Sequence, residues 1–237
     1  MSPVDFQQQL SELNTVMVGE LEDVWKVGQD EDSSTFRQFV SDAYPQVVTP
    51  YSGIASDLAA DYYGSYAPVG STYVPVVAPP PPLEKLTVSS SWALSQGSPF
   101  SALVGSAQRT LFGSARTTVE LNADLDPQGG YARYASANAC RFCQMLATRG
   151  AVYASEKAAT KVSGRGRTDY IRGSQKHGEK FHDWCRCIAV PVRPGRHYEP
   201  PPYVEQWSAD YEQAAQLAGT KSDLNSLMAA YRQMDKA

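Results

Sequence analysis

The amino-acid sequence predicts an α+β protein that is mostly helical, and three observations lead to this prediction. Long stretches repeat apolar residues every three or four positions, which is the period of an amphipathic helix. A run of prolines near residue 80 favours an extended connector. Two short segments further along are rich in β-branched or aromatic residues, as strands are, and lie near a set of cysteines and a histidine.

These observations divide the chain into four parts. Residues 1–66 are expected to form an N-terminal helical region, and residues 67–83 a semi-rigid proline-rich connector that marks the main domain boundary. Residues 84–196 are expected to form a compact core with short strands and a Cys/His cluster. Residues 197–237 are expected to form a helical C-terminal tail.

The N-terminal region is predicted to contain three helices. A serine followed by Pro3 is typical of a helix start, because proline is favoured at the first helical position, and the first helix is expected to end at Gly28. A second helix is predicted from about Ser34. Pro45 is expected to break or kink it, since proline removes a helical hydrogen bond. The third helix is predicted from about Pro50.

Beyond the connector, apolar periodicity and capping signals predict further helices. Strand signals start near Tyr131 and near Cys187, and Pro191 is expected to confine the second strand to a sheet edge because proline cannot donate to a ladder. The predicted helices cover residues 83–94, 98–125, 140–149, 156–162, 203–217 and 222–234.

Composition places the chain among ordinary globular proteins. Hydrophobic residues make up 42% and charged residues 19% of the 237 residues, which is enough apolar material for a core. The apolar runs are too short to span a bilayer, and the start lacks the pattern of a signal peptide. We therefore expect no membrane partner and synthesis in a reducing cytoplasm, where cysteines bind metal or stay as free thiols more often than they form disulfides.

Charge is distributed unevenly along the chain. Residues 1–139 contain 6 Lys and Arg against 15 Asp and Glu, whereas residues 140–196 contain 12 against 4. The last 41 residues are acidic again, with 3 against 6. A basic module between acidic flanks indicates contact with an anionic partner rather than a particular fold.

The cysteines and one histidine have the spacing of a metal site. A Cys-x-x-Cys turn lets two thiolates face one centre, and a second cluster about 40 residues later supplies further ligands. A closed set of four ligands predicts a structural zinc site, with either four thiolates or three thiolates and one imidazole. A disulfide and reduced thiols remain alternatives. The five candidate ligands are Cys140, Cys143, His182, Cys185 and Cys187.

A basic segment between the two cysteine clusters is the second candidate site. It combines arginine and lysine with glycine and lacks apolar periodicity, so an exposed loop is expected. Such a loop suits sequence-independent phosphate contacts in DNA, and docking onto an acidic protein is the alternative. The candidate DNA-binding residues are Lys161, Arg165, Arg167, Arg172, Lys176 and Lys180.

The motifs of common enzymes are missing from this sequence. We found no metalloprotease helix, phosphate-binding glycine loop, dinucleotide fingerprint or serine nucleophile elbow. A catalytic Cys–His pair is the most specific enzymatic alternative. Cysteines arranged as two close pairs nevertheless fit the role of metal ligands better. The sequence therefore predicts a structural protein and not an enzyme.

Two stretches of this sequence resemble a known family. They run from Gln108 to Tyr153, with Cys-Arg-Phe-Cys-Gln-Met-Leu-Ala-Thr-Arg-Gly as their centre, and from Phe181 to Val192, with Phe-His-Asp-Trp-Cys-Arg-Cys. Together they resemble MuF-like minor capsid proteins, the head-morphogenesis family of tailed phages. The resemblance covers about residues 85–193.

The resemblance implies a low-copy structural protein of the virion, made in the host cytoplasm and placed in the capsid interior or near the portal. The implied partners are the portal and major capsid proteins and packaged double-stranded DNA. Relatives often carry a second histidine where this chain has Trp184, so zinc here would depend on His182 or on four thiolates. The alternative function is a metal- or cysteine-dependent enzyme acting on DNA or protein inside the head.

Overall fold

The structure is a computed structural model, and it describes residues 1–148, 184–195, 198–221 and 223–236. Within these residues the chain forms seven α-helices and one two-stranded antiparallel sheet. The mostly helical α+β fold predicted from the sequence is therefore confirmed. The short helix predicted at residues 156–162 lies outside the described residues.

Two long helices open the chain, and polar caps fix where each begins. Helix α1 (Pro3–Gly28) starts with a capping box, in which the Ser2 hydroxyl accepts from the Asp5 amide and the Asp5 carboxylate accepts from the Ser2 amide. Helix α2 (Ser33–Gly64) starts where the Asp32 carboxylate accepts from two backbone amides. Such caps satisfy amides that have no partner inside the helix.

The break predicted at Pro45 is wrong, because α2 continues through both Pro45 and Pro50. A proline inside a helix costs about 3 kcal/mol, so tertiary packing must compensate. Val40, Tyr44 and Val48 are fully buried on either side of Pro45. The two helices predicted from Ser34 and Pro50 are consequently one helix, stabilised by the core it covers.

Helix α4 (Pro99–Leu125) lies at the centre of the fold. It packs against α1, α2, both strands and the shorter helix α3 (Leu83–Leu94). Its buried residues include Leu103, Leu111 and Val119, spaced so that they share one broad face. The largest hydrophobic core therefore combines residues from both sides of the proline-rich connector.

The connector is attached to α4 along part of its length. The side-chain amide of Asn122 accepts from the Val76 amide at 2.8 Å and donates to the Val76 carbonyl at 2.7 Å. The Tyr73 hydroxyl also donates to Asn122, and the Ala78 amide donates to Thr118. These hydrogen bonds hold the connector against α4, and its role as a domain boundary stays a prediction.

The sheet joins two segments that are far apart in sequence. Strand β1 (Gly130–Tyr134) pairs antiparallel with strand β2 (Ile188–Val192), and Tyr134 lies opposite Ile188. A proline is tolerated in β2 because both strands of a two-stranded sheet are edges. Just beyond β2, Arg193 forms a buried 2.6 Å ion pair with Asp126, at the end of α4.

The C-terminal helices form a hairpin that packs on α5 (Arg141–Ala147). Helix α6 (Tyr203–Ala218) ends at Gly219, whose φ of 64° is the left-handed conformation that glycine adopts readily. Helix α7 (Leu224–Met234) returns, and the predicted C-terminal helices are confirmed. This hairpin buries its own apolar cluster with Met145 and Leu146. No helix in the described ranges is long and apolar enough to cross a membrane.

Candidate metal centre

Three of the cysteines meet in one buried cluster. The sulfur of Cys185 lies 3.4 Å from that of Cys143 and 3.0 Å from that of Cys187. All three sulfurs lie within 4.8 Å of one another. Their residues are 2–5% exposed. We call these three residues the thiol cluster.

Local backbone geometry brings Cys185 and Cys187 to the same side. Residues two apart in an extended chain point to one face, and this segment leads directly into β2. Trp184, just before it, has a φ of 68°, which is uncommon for a residue other than glycine and forms a sharp turn. Two hydrogen bonds of 2.7 Å fix the segment: Gln7 donates to the Arg186 carbonyl and Arg116 donates to the Cys187 carbonyl.

The start of α5 supplies the other cysteines. Cys140 is the N-cap with extended backbone angles, and Cys143 lies in the first turn, so their side chains can face the same direction. Cys140 is exposed, and its thiol forms a hydrogen bond with Cys143. Of the two intervening residues, Arg141 pairs with Asp210 and Asp235. Phe142 packs both against the apolar cluster that contains the three buried thiols and against the one under the C-terminal helices.

Hydrogen bonds between the thiols separate their acidities. The pKa of Cys185 is lowered to about 3, first because Cys143 hydrogen-bonds to its thiolate, then because Cys187 and the positive charge of Arg116 add to this. The pKa of Cys143 is raised, first by its hydrogen bond with Cys140 and then by those with the other thiols. Metal binding would require all of these thiols to be deprotonated, because the thiolate is the form that binds a metal.

The geometry fits a metal bound by thiolates. Tetrahedral zinc with Zn–S bonds of about 2.3 Å separates its sulfur ligands by roughly 3.8 Å, and small side-chain adjustments would bring the thiol cluster to that spacing. Among the described residues this is the one group of three or more cysteine, histidine or carboxylate side chains placed to hold a metal ion. Cys140 or His182 would be the fourth ligand.

The predicted site residues have different outcomes. The structure brings Cys143, Cys185 and Cys187 together and places Cys140 beside Cys143. None of these four cysteines forms a disulfide. His182 lies outside the described residues, and so do all of the candidate DNA-binding residues: Lys161, Arg165, Arg167, Arg172, Lys176 and Lys180.

Sequence reasoning missed the residues that support the cluster. The spacing of Arg116 indicates only that it shares a helix face with Arg109, yet Arg116 is buried against Cys187. A charged residue among the apolar positions of α4 was the available signal. No sequence signal pointed to Gln7, because its contact with Arg186 spans 179 residues.

Comparison with known proteins identifies a family for this chain. A sequence model described as "VG15 protein" matches residues 2–214, from the N-cap of α1 into α6. No curated protein and no solved structure matches the chain. Since the match covers most of the chain, including the helical core and the thiol cluster, this protein belongs to the VG15 family, which is a family of viral proteins.

Proposed function

We propose that this protein is a minor structural component of a tailed-phage head, incorporated at low copy near the portal. The observation that carries the proposal is the VG15 match over residues 2–214, because it assigns almost the whole fold to a viral family. The resemblance of residues 85–193 to MuF-like minor capsid proteins supports the more specific role. Portal and major capsid proteins are the proposed partners.

A structural role for the thiol cluster suits its burial better than catalysis does. A nucleophilic cysteine needs access to substrate, and reactive cysteines are at least partly exposed. The lowered pKa of Cys185 would suit a nucleophile, but this residue is 2% exposed. We therefore propose that the protein is not an enzyme.

The proposed role of the cluster is to hold a structural zinc ion. Zinc would supply a cross-link between the first turn of α5 and the segment before β2, through Cys143, Cys185 and Cys187. Cys140 or His182 would complete the set. The protein's own contribution is to place three sulfurs together in a buried cluster that includes Val204 and Trp207.

Mass spectrometry of purified particles tests the proposed function directly. We expect the protein to be present in virions or procapsids at a copy number comparable to that of the portal protein. A copy number matching the major shell protein would contradict a minor role. Absence from both virions and procapsids would contradict a head component of any kind.

Contact with packaged DNA is the proposed role of the basic segment. The excess of positive charge in residues 140–196 supports it. Binding to duplex DNA should weaken steeply with salt, because released counterions drive it. Replacing Arg165 and Arg167 together with alanine should lower the salt slope by about 1 for each phosphate that is no longer neutralised. Binding that is insensitive to salt would instead indicate that the segment docks on protein.

A further inference from the structure

The exposure of the proline-rich connector repeats every three residues. Ala78 is 3% exposed, and Pro75 and Pro81, three residues before and after it, are partly buried. The two residues that follow each of these three are exposed. The exposed positions form two rows, which are Val76, Pro79 and Pro82 in one and Val77, Pro80 and Leu83 in the other. We call these six residues the proline ridge.

A period of three identifies a polyproline II helix, which has three residues per turn. A strand has a period of two and would place Val76 and Ala78 on the same face, yet Val76 is 41% exposed and Ala78 is buried. Pro82 has a φ of −57° and a ψ of 140°, close to polyproline II values. Each residue that precedes a proline is restricted to this part of conformational space. At about 3.1 Å per residue, the ridge extends for roughly 20 Å.

The buried edge of this helix is fixed to α4. Asn122 exchanges two hydrogen bonds with the backbone of Val76, and the Ala78 amide donates to the Thr118 hydroxyl at 3.3 Å. The consecutive prolines also lock their own φ angles. The ridge is therefore held in one conformation before a partner arrives, so little conformational entropy is lost when it binds.

The ridge offers apolar surface and backbone acceptors but no charge. Residues 62–83 contain no Asp, Glu, Lys or Arg, although Val77 and Leu83 are 48% and 68% exposed. Contact with nucleic acid needs positive charge, so this surface does not suit DNA. A polyproline II helix makes no internal hydrogen bonds, and its carbonyl groups remain available to donors from outside. An uncharged groove that combines apolar walls with a few donors is complementary to such a surface.

We propose that the proline ridge is the docking element for another protein, whose groove is lined by tryptophan and tyrosine side chains. Aromatic rings supply flat apolar walls between the rows, and their N–H and O–H groups donate to proline carbonyls. The ridge has no aromatic residue, so two copies of this chain meeting ridge to ridge would not form such a groove. That the partner is a neighbouring head protein rests on the proposed function, whereas the ridge as its ligand does not.

Photo-cross-linking of the full chain in phage-infected cells tests the inference. A photoreactive benzoylphenylalanine replaces Val77 in one variant and Val16 in the control, which is 57% exposed on α1 and lies outside the ridge. Irradiation should link position 77 to a different protein, and mass spectrometry should map the link to a surface that carries tryptophan or tyrosine. Position 16 should not link to that surface.

Charged substitutions then measure the contribution of the ridge with the purified partner. Val77→Glu and Leu83→Glu should each weaken binding by about 10-fold or more, because each buries an unpaired charge in an apolar groove. Val16→Glu is the matched control and should bind as wild type does. All three positions are exposed, so the melting temperatures should stay close to that of wild type.

Several results would overturn the inference: no cross-link from position 77, links only to a second copy of this chain, or links to a surface without aromatic residues. Unchanged binding of both Val77→Glu and Leu83→Glu would overturn it equally. A cross-linked aromatic partner that is absent from purified particles would support the ridge as a docking element and would contradict a neighbouring head protein as its partner.

Discussion

Two regions of this molecule are stabilised in different ways. Helices α1 to α4 and the sheet share one large core, in which Phe6 stacks on Tyr62 with ring centroids 4.1 Å apart. The region around α5 instead has two small apolar clusters, one around the thiols and one under the C-terminal hairpin. A large core can stabilise a fold by apolar burial alone, whereas small ones usually need cross-links or metals.

Polar contacts and the thiol cluster connect the elements of the second region. Arg141 forms 2.6 Å ion pairs with Asp210 in α6 and with Asp235 at the end of α7. The thiol cluster joins α5 to the segment that leads into β2. The first region should therefore survive changes that loosen the second.

Truncation should give the largest effect. Removing residues 1–66 deletes α1 and α2 and leaves the apolar face of α4 without cover. A fully buried large apolar side chain contributes about 1.5–3 kcal/mol, and losing several exceeds a typical net stability of about 5–15 kcal/mol. We expect no cooperative transition in a thermal melt followed by circular dichroism. The deletion removes Phe6, Leu10, Met17, Leu21, Val40, Tyr44, Val48, Tyr62 and Tyr63 from the core.

The opposite truncation is the control. Ending the chain before Tyr203 removes α6 and α7 but leaves the large core complete. A cooperative melt should persist, at a lower temperature. If both truncations melt alike, the two regions do not differ in the way proposed.

Loss of the thiol cluster should have the second-largest effect. A metal present at 100 times its dissociation constant stabilises the folded state by about 2.7 kcal/mol, so chelation or Cys143→Ser should lower the melting temperature by several degrees. Hydrogen exchange should rise in α5 and around β2 and stay unchanged in α1. Stable, metal-free protein with four titratable thiols would argue against the metal centre. A Cys185–Cys187 disulfide in virions would instead indicate that oxidation, and not a metal, links these cysteines.

Arg141→Met should have a smaller effect. Partly exposed ion pairs contribute about 0.2–1 kcal/mol each, and Arg141 is 31% exposed with two partners. The melting temperature should fall by about 2–4 °C, and exchange should increase in α6 and α7. Lys221→Met is the matched control, because its pair with Glu212 is more than half exposed. An equal decrease in melting temperature in both variants would show that Arg141 stabilises the fold no more than an exposed ion pair does.

The helix cap at Asp32 should give the smallest effect, with a defined pH dependence. Hydrogen bonds from Ser34 and Thr35 lower the pKa of Asp32 in the folded state. Its contribution is therefore present above the unfolded pKa of about 3.9 and is lost as pH falls through the lower folded pKa. Asp32→Asn should melt within about 2 °C of wild type at pH 7, and this difference should shrink progressively below pH 4.

Local signals predicted most of the fold. Caps and apolar spacing located α1, α3, α4 and the C-terminal helices, because these features act within one or two turns. The continuity of α2 could not be predicted. The sequence shows the local cost of a proline in a helix, but not the core packing around Pro45 that outweighs this cost. The hydrogen bonds between the connector and Asn122 could not be predicted from the sequence either, because they join residues more than 40 positions apart.

The sequence predicted that cysteines from two distant segments come together, but not which residues support them. Paired cysteine spacing indicates a thiol site because two short turns suffice to aim the sulfurs. The contacts of Arg116 and Gln7 depend on how α4 and α1 lie against the segment before β2, which only the assembled fold determines.

The pairing of β1 with β2 also governs how the protein can be made. Tyr134 and Ile188 lie opposite each other, so the ribosome adds about 50 residues between the two strands, which takes roughly 3–10 s at about 5–20 residues per second. Throughout that interval β1 offers an open edge and α4 lacks part of its cover. We expect chaperones to bind a nascent chain in this state, because it exposes an apolar surface and an unpaired strand edge. Slower translation or a higher concentration of unfinished chains should raise the fraction of protein that aggregates.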